Sequence, residues 1–153
     1  MKLKQYIKTT IREFLNENNL VSIENAIEEI KTYSTGSYRK TGLFFGDYGM
    51  SEIYELNGSL KIGSLISFKK GGGKWIIQKI ISICDKYSVT IKLLAQTYDK
   101  NSDYTYKELN IKDERPILSQ KELVLMYQSV GFIISRRNKN SVEMVRHPKN
   151  YTN

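Results

Sequence analysis

The chain has 153 residues, 40% hydrophobic and 26% charged, a balance that fits one ordinary globular domain and excludes a disordered or fibrous chain. No apolar run is long enough to cross a bilayer as a helix, and Cys84, the single cysteine, leaves no intramolecular disulfide to form. The formal net charge of +8 suits an anionic cofactor or an acidic substrate, and it supports nucleic acid only weakly because the lysines are scattered.

From the N-terminus, Leu3, Tyr6, Ile7, Ile11, Phe14 and Leu15 recur at three- and four-residue spacing, with Lys4, Lys8 and Arg12 off the stripe. This predicts an amphipathic helix over residues 1–21, able to pack on the body of the domain or to lie on a membrane surface. Charges interrupt the segment every few residues, so a secretory signal is not expected and a cytoplasmic location is. Ser22 reads as the N-cap of a second helix whose face is Ile23, Ala26, Ile27 and Ile30. Three strands follow, over residues 38–45, 50–56 and 60–68. Gly46-Asp47-Tyr48-Gly49 joins the first pair and Asn57-Gly58 the second, and together they predict an antiparallel meander.

Next comes Lys69-Lys70-Gly71-Gly72-Gly73-Lys74, then a helix over residues 75–87 that is apolar on a broad arc through Ile76, Ile77, Ile80, Ile81 and Cys84. In the following strand Val89, Ile91, Leu93 and Ala95 alternate with Thr90, Lys92 and Leu94. Strand, helix, strand predicts a crossover and a parallel pair. Residues 97–118 lack periodicity, and a connection of that length is usually functional or mobile. Its Tyr98, Tyr104 and Tyr106 could wall a substrate pocket or anchor the loop. Ser119 with Glu122 forms a capping box, Leu123, Met126, Tyr127 and Val130 share a helical face, and Gly131 stops the helix ahead of Phe132. A hairpin over residues 132–136 and 142–145 closes the chain. The whole predicts an α+β fold with a mixed sheet in a single domain, residues 1–153.

The glycine turn is the most informative local feature. Three glycines let a ligand approach the backbone, and the first N–H groups of the next helix are unpaired, so an anion, most simply a phosphate, is favoured there. Lys69, Lys70 and Lys74 add positive charge. A plain surface turn is the alternative. The turn is neither a Walker loop nor a dinucleotide fingerprint. Cys84 among isoleucines reads as a core residue and His147 as a solvated one, too few ligands for a zinc site.

Two stretches together resemble the GNAT acetyltransferase superfamily. Residues 66–96, ISFKKGGGKWIIQKIISICDKYSVTIKLLAQ, look like the family's strand, pyrophosphate loop, helix and following strand. Residues 122–144, ELVLMYQSVGFIISRRNKNSVEM, resemble its closing helix and hairpin, with Tyr127, Gly131 and Phe132 at the family's spacing. The resemblance implies a GNAT-like mixed sheet and acyl transfer from acyl-CoA, usually acetyl-CoA, to an amine. It implies that Lys69, Lys70, Gly71, Gly72, Gly73, Lys74 and Trp75 surround the CoA pyrophosphate. Leu65, Ile66 and Ser67 would then lie near the thioester, with Ala95 and Gln96 opposite, because the two strands splay in the family. Tyr127 takes the position of the acid that protonates the departing thiolate. Glu52 and Glu55, on the middle meander strand, are candidate bases for the amine, and each also reads as a solvated strand residue. A side chain at Gly72 is expected to abolish cofactor binding. Phe68 stands where the family's loop begins with Arg or Gln, and no strand precedes the first helix. A non-catalytic GNAT-fold protein that binds a partner protein or nucleic acid is therefore the alternative. Family members often form homodimers.

Overall fold

The computed structural model describes residues 2–97, 104–109, 111 and 117–149, the side chains of residues 15, 16 and 104–106 excepted. No glycine or proline occurs before Gly36, and the first 30-residue element is one continuous helix, α1 (Leu3–Thr32). The expected break at Ser22 does not form. Asn18, Asn19 and Ser22 are weak helix formers but none of them stops a helix.

The sheet follows. The strands are β1 (Gly36–Tyr38), β2 (Gly42–Phe45), β3 (Gly49–Leu56), β4 (Ser59–Ser67), β5 (Ile91–Ala95), β6 (Ile133–Arg137) and β7 (Val142–Arg146). They form one mixed sheet in the order β1-β2-β3-β4-β5-β7-β6, in which β4 and β5 are parallel and the other neighbours antiparallel. The single strand expected over residues 38–45 is thus a tight hairpin, with Tyr38 opposite Gly42 and Arg39 in the left-handed region at φ 55°. Helix α2 (Gly72–Lys86) crosses from β4 to β5, and α3 (Tyr104–Leu109) and α4 (Gln120–Ser129) lie between β5 and β6. The predicted capping box is present: the Glu122 N–H donates to the Ser119 hydroxyl and the Ser119 N–H to the Glu122 carboxylate.

The core lies where α1 and α2 cover the sheet. Ile23, Ala26 and Ile30 meet Ile76, Ile77, Ile80 and Cys84 over Phe45, Ile53, Leu60, Ile62, Ile91 and Leu93. Each buried Ile or Leu of this kind contributes roughly 1.5–3 kcal/mol. Burial pushes the Cys84 thiol up to about 12, so it stays a protonated packing group. The N-terminal half of α1 is different: Leu3, Tyr6, Ile7, Ile11 and Phe14 remain exposed instead of packing on the body.

Candidate binding cleft

Strands β4 and β5 pair only over Leu60, Lys61 and Ile62 against Ile91, Lys92 and Leu93; beyond that they separate. The cause lies in β4. Where β3 advances from Ser51 to Ile53, β4 advances from Ile62 to Leu65, so β4 carries one extra residue in a bulge at Gly63-Ser64. A bulge bends its strand and increases the local twist. At Gly63 a Cβ would stand 3.0 Å from the Glu52 Cβ and 3.1 Å from its Oε2, which lays the Glu52 carboxylate over the bulge.

The separated strands border a cleft of about 930 Å³. Glu52 and Tyr54 of β3, the outward residues of β4 from Lys61 to Ser67, and Leu94, Gln96 and Thr97 beyond β5 line it, and α4 adds Leu123, Met126 and Tyr127. Ile117 and Leu118 close another side. The connection between β5 and α4 therefore touches the cleft at both ends. Between them, Glu108 of α3 accepts hydrogen bonds from the Tyr38 hydroxyl and the Arg39 guanidinium at the far edge of the sheet. Tyr98 and the side chains of Tyr104 and Tyr106 lie outside the described residues.

The turn into α2 forms one end of the cleft, through Lys70, Gly71, Gly73 and Lys74. Gly71 is the N-cap, at φ 78°, a conformation that glycine adopts without penalty. Helical bonding begins with the Trp75 N–H on the Gly71 carbonyl, at 3.0 Å. Among the described residues, the N–H groups of Gly71, Gly73 and Lys74 have no acceptor, so this helix start offers donors and the positive end of its dipole. Gly72 does something else. A Cβ there would stand 2.0 Å from the Tyr48 carbonyl oxygen, which already accepts the Phe68 N–H at 2.9 Å. Gly72 lets the protein's own backbones meet, and the expected test of ligand binding at this position would instead break the fold.

The other expected site residues divide by which way they point. Leu65, Ser67 and Gln96 line the cleft, whereas Ile66 and Ala95 are buried in the core. Lys69 turns away, paired with Asp47 at 3.0 Å and set over the Tyr48 ring. Trp75 stacks on Tyr48 with centroids 4.1 Å apart, which anchors the Gly46–Gly49 loop to α2. Glu55 accepts the Gly58 N–H at 2.9 Å and so caps the β3–β4 turn, away from the cleft. Tyr127 packs edge-on against Phe132 and lines the cleft. Burial pushes its phenol up to about 12. Sequence reasoning missed Tyr54, Lys61, Ser64 and Leu94. The signal available was Gly63 inside a strand pattern, the mark of a bulge that re-aims its neighbours.

Comparison with family models, with curated proteins and with solved structures finds no match to this chain.

Proposed function

We propose that the chain is an acyl-CoA-dependent N-acyltransferase of the GNAT type, moving an acyl group, in the simplest case acetyl, to an amine. The observation that carries this reading is the wedge between parallel strands that ends at an open helix N-terminus. A CoA molecule is a long extended amide arm with a pyrophosphate near one end. The cleft between the two diverging strands suits the arm, and the Gly71, Gly73 and Lys74 N–H groups with the Lys70 and Lys74 ammoniums suit the pyrophosphate. Phe68, where the family has a polar residue, packs near Phe44 at 6.4 Å between centroids, so phosphate recognition falls to the backbone and those lysines.

In this reading the amine nitrogen attacks the thioester carbonyl carbon, the carbon–sulfur bond breaks and CoA leaves as thiolate. Glu52 takes the amine proton, directly or through water, and Tyr127 donates its phenolic proton to the sulfur. A phenol raised to about 12 stays protonated at neutral pH, as a donor must.

Thermal melting with acetyl-CoA tests the binding step: a ligand at a hundredfold excess over its dissociation constant adds about 2.7 kcal/mol. Tyr127→Phe is expected to keep that shift and to lower transfer to amines by about 10²–10⁴-fold. Wild-type transfer should show no alkaline decline from this group near the ordinary tyrosine value of about 10. A folded protein with no shift at millimolar acetyl-CoA refutes the proposal. A shift without transfer to any amine favours the non-catalytic GNAT-fold reading, with a protein or nucleic acid as partner.

A further inference from the structure

Residues 3–18 of α1 form an arm of about 24 Å at 1.5 Å per residue. The body takes hold at Asn19, whose Nδ2 donates to the Gly58 carbonyl at 2.8 Å, and further along at Ile23, Ala26 and Ile30, which are fully buried. On the arm, Leu3 is 74% exposed, Tyr6 61% and Phe14 60%. At 3.6 residues per turn, Leu3, Ile7, Ile11 and Phe14 fall on one stripe, with Thr10 inside it and Tyr6 at its border. The Thr10 hydroxyl donates to the Tyr6 carbonyl at 2.9 Å, so Thr10 presents a methyl group to the stripe without an unsatisfied donor.

The charges decide what covers this face. Lys4, Lys8 and Arg12, spaced by four, form a row along one border, and Lys2 adds a further positive charge; the first acid is Glu13. Helix dipole and side chains therefore give the arm's tip one sign. A second copy of the chain fits poorly. Antiparallel pairing sets the basic row against itself, and in-register parallel pairing leaves Glu13 and Glu17 beyond the reach of Lys4 and Lys8. An anionic lipid surface fits both features at once: apolar side chains enter the acyl boundary, and the basic row reaches the headgroups along its alkyl stems. We propose that the α1 arm docks in the plane of an anionic bilayer surface. It does not cross that surface, since no described helix is long and apolar enough to do so.

The test is co-sedimentation of the full chain with vesicles of phosphatidylcholine alone, or of phosphatidylcholine containing one-third phosphatidylserine. Binding is expected to the anionic vesicles only. Ile7→Glu with Ile11→Glu should abolish it while leaving the melting temperature unchanged, because neither side chain touches the core. Exchange of Lys4, Lys8 and Arg12 for Gln should weaken partitioning roughly a hundredfold, at about 1 kcal/mol per basic residue. Wild-type protein remaining in the supernatant with anionic vesicles overturns the proposal. So does a dimer in sedimentation velocity that Ile7→Glu with Ile11→Glu dissociates, and so does pelleting that either variant leaves intact.

Discussion

Asp85 and Arg146 are a buried charged pair remote in sequence, and they tie three elements together at the end of α2. The Arg146 guanidinium donates to both Asp85 oxygens, at 2.6 and 3.1 Å, and through Nε to the Val130 carbonyl at 3.0 Å. The Lys149 N–H donates to the same carboxylate at 3.0 Å. Burial raises the carboxyl's pKa, but the bonds from Arg146 and Lys149 outweigh it, and the net direction is down from 3.8. A depressed folded pKa stabilises fully above the unfolded value and loses that contribution as pH falls through the folded one. Asp85→Asn, which strands the Arg146 charge, is expected to cost about 3–5 kcal/mol at neutral pH. In urea titrations the gap to wild type should stay constant down to about pH 4 and close below it. A gap independent of pH down to strong acid would contradict the assignment.

At the scale of elements, the glycine turn separates three roles that look alike in the sequence. Gly71→Ala meets open space but keeps a positive φ, so it is expected to cost about 1–2 kcal/mol through the backbone alone. Gly72→Ala drives a methyl into the Tyr48 carbonyl and should prevent folding or lower stability by about 3 kcal/mol or more. Gly73→Ala meets only the Ser67 Cβ, at 3.6 Å, and should stabilise α2 by up to about 1 kcal/mol. If the cleft takes a pyrophosphate at this turn, the same methyl should shrink the acetyl-CoA melting shift without unfolding the protein. Thermal melts of the three variants, with and without acetyl-CoA, check the ranking; equal losses would refute it. Much of this element was legible: the turn, the buried arc of α2, the parallel crossover and the capping box of α4 all follow from local pattern. The splay was not read from spacing, because it depends on a register difference between β3 and β4 that only pairing reveals. Arg39 at positive φ likewise carries no turn signal, so the first hairpin read as one strand. The division of Leu65 from Ile66 and of Lys70 from Lys69 needed the direction of each side chain, which the run Lys69 to Lys74 does not encode.

For the whole molecule, α1 is one helix in two environments, and its periodicity was legible while its surroundings were not. The face that serves the core at Ile23, Ala26 and Ile30 lies, at 3.6 residues per turn, on roughly the opposite side of the helix from the stripe exposed at Leu3, Ile7 and Phe14. A repeat of three and four says that a face must be covered, not by what. Stability should divide accordingly. Core amides in α2, β3 to β5 and the buried half of α1 are held by packing as well as by hydrogen bonds, so they should exchange only through global opening, at roughly 5–15 kcal/mol. Among the described side chains of the arm the hydrogen bonds are intrahelical, and a helix of about sixteen residues with little packing is marginal in water. Its amides are therefore expected to exchange orders of magnitude faster than those after Ile23, with the change of slope near Asn19, where the Gly58 contact begins. Hydrogen–deuterium exchange read residue by residue checks this. Uniform protection along α1 in dilute solution would mean that the stripe is already covered there, and the division into arm and body would fall. Protection that rises in the arm alone when anionic vesicles are added would instead locate the missing cover at the surface of the bilayer.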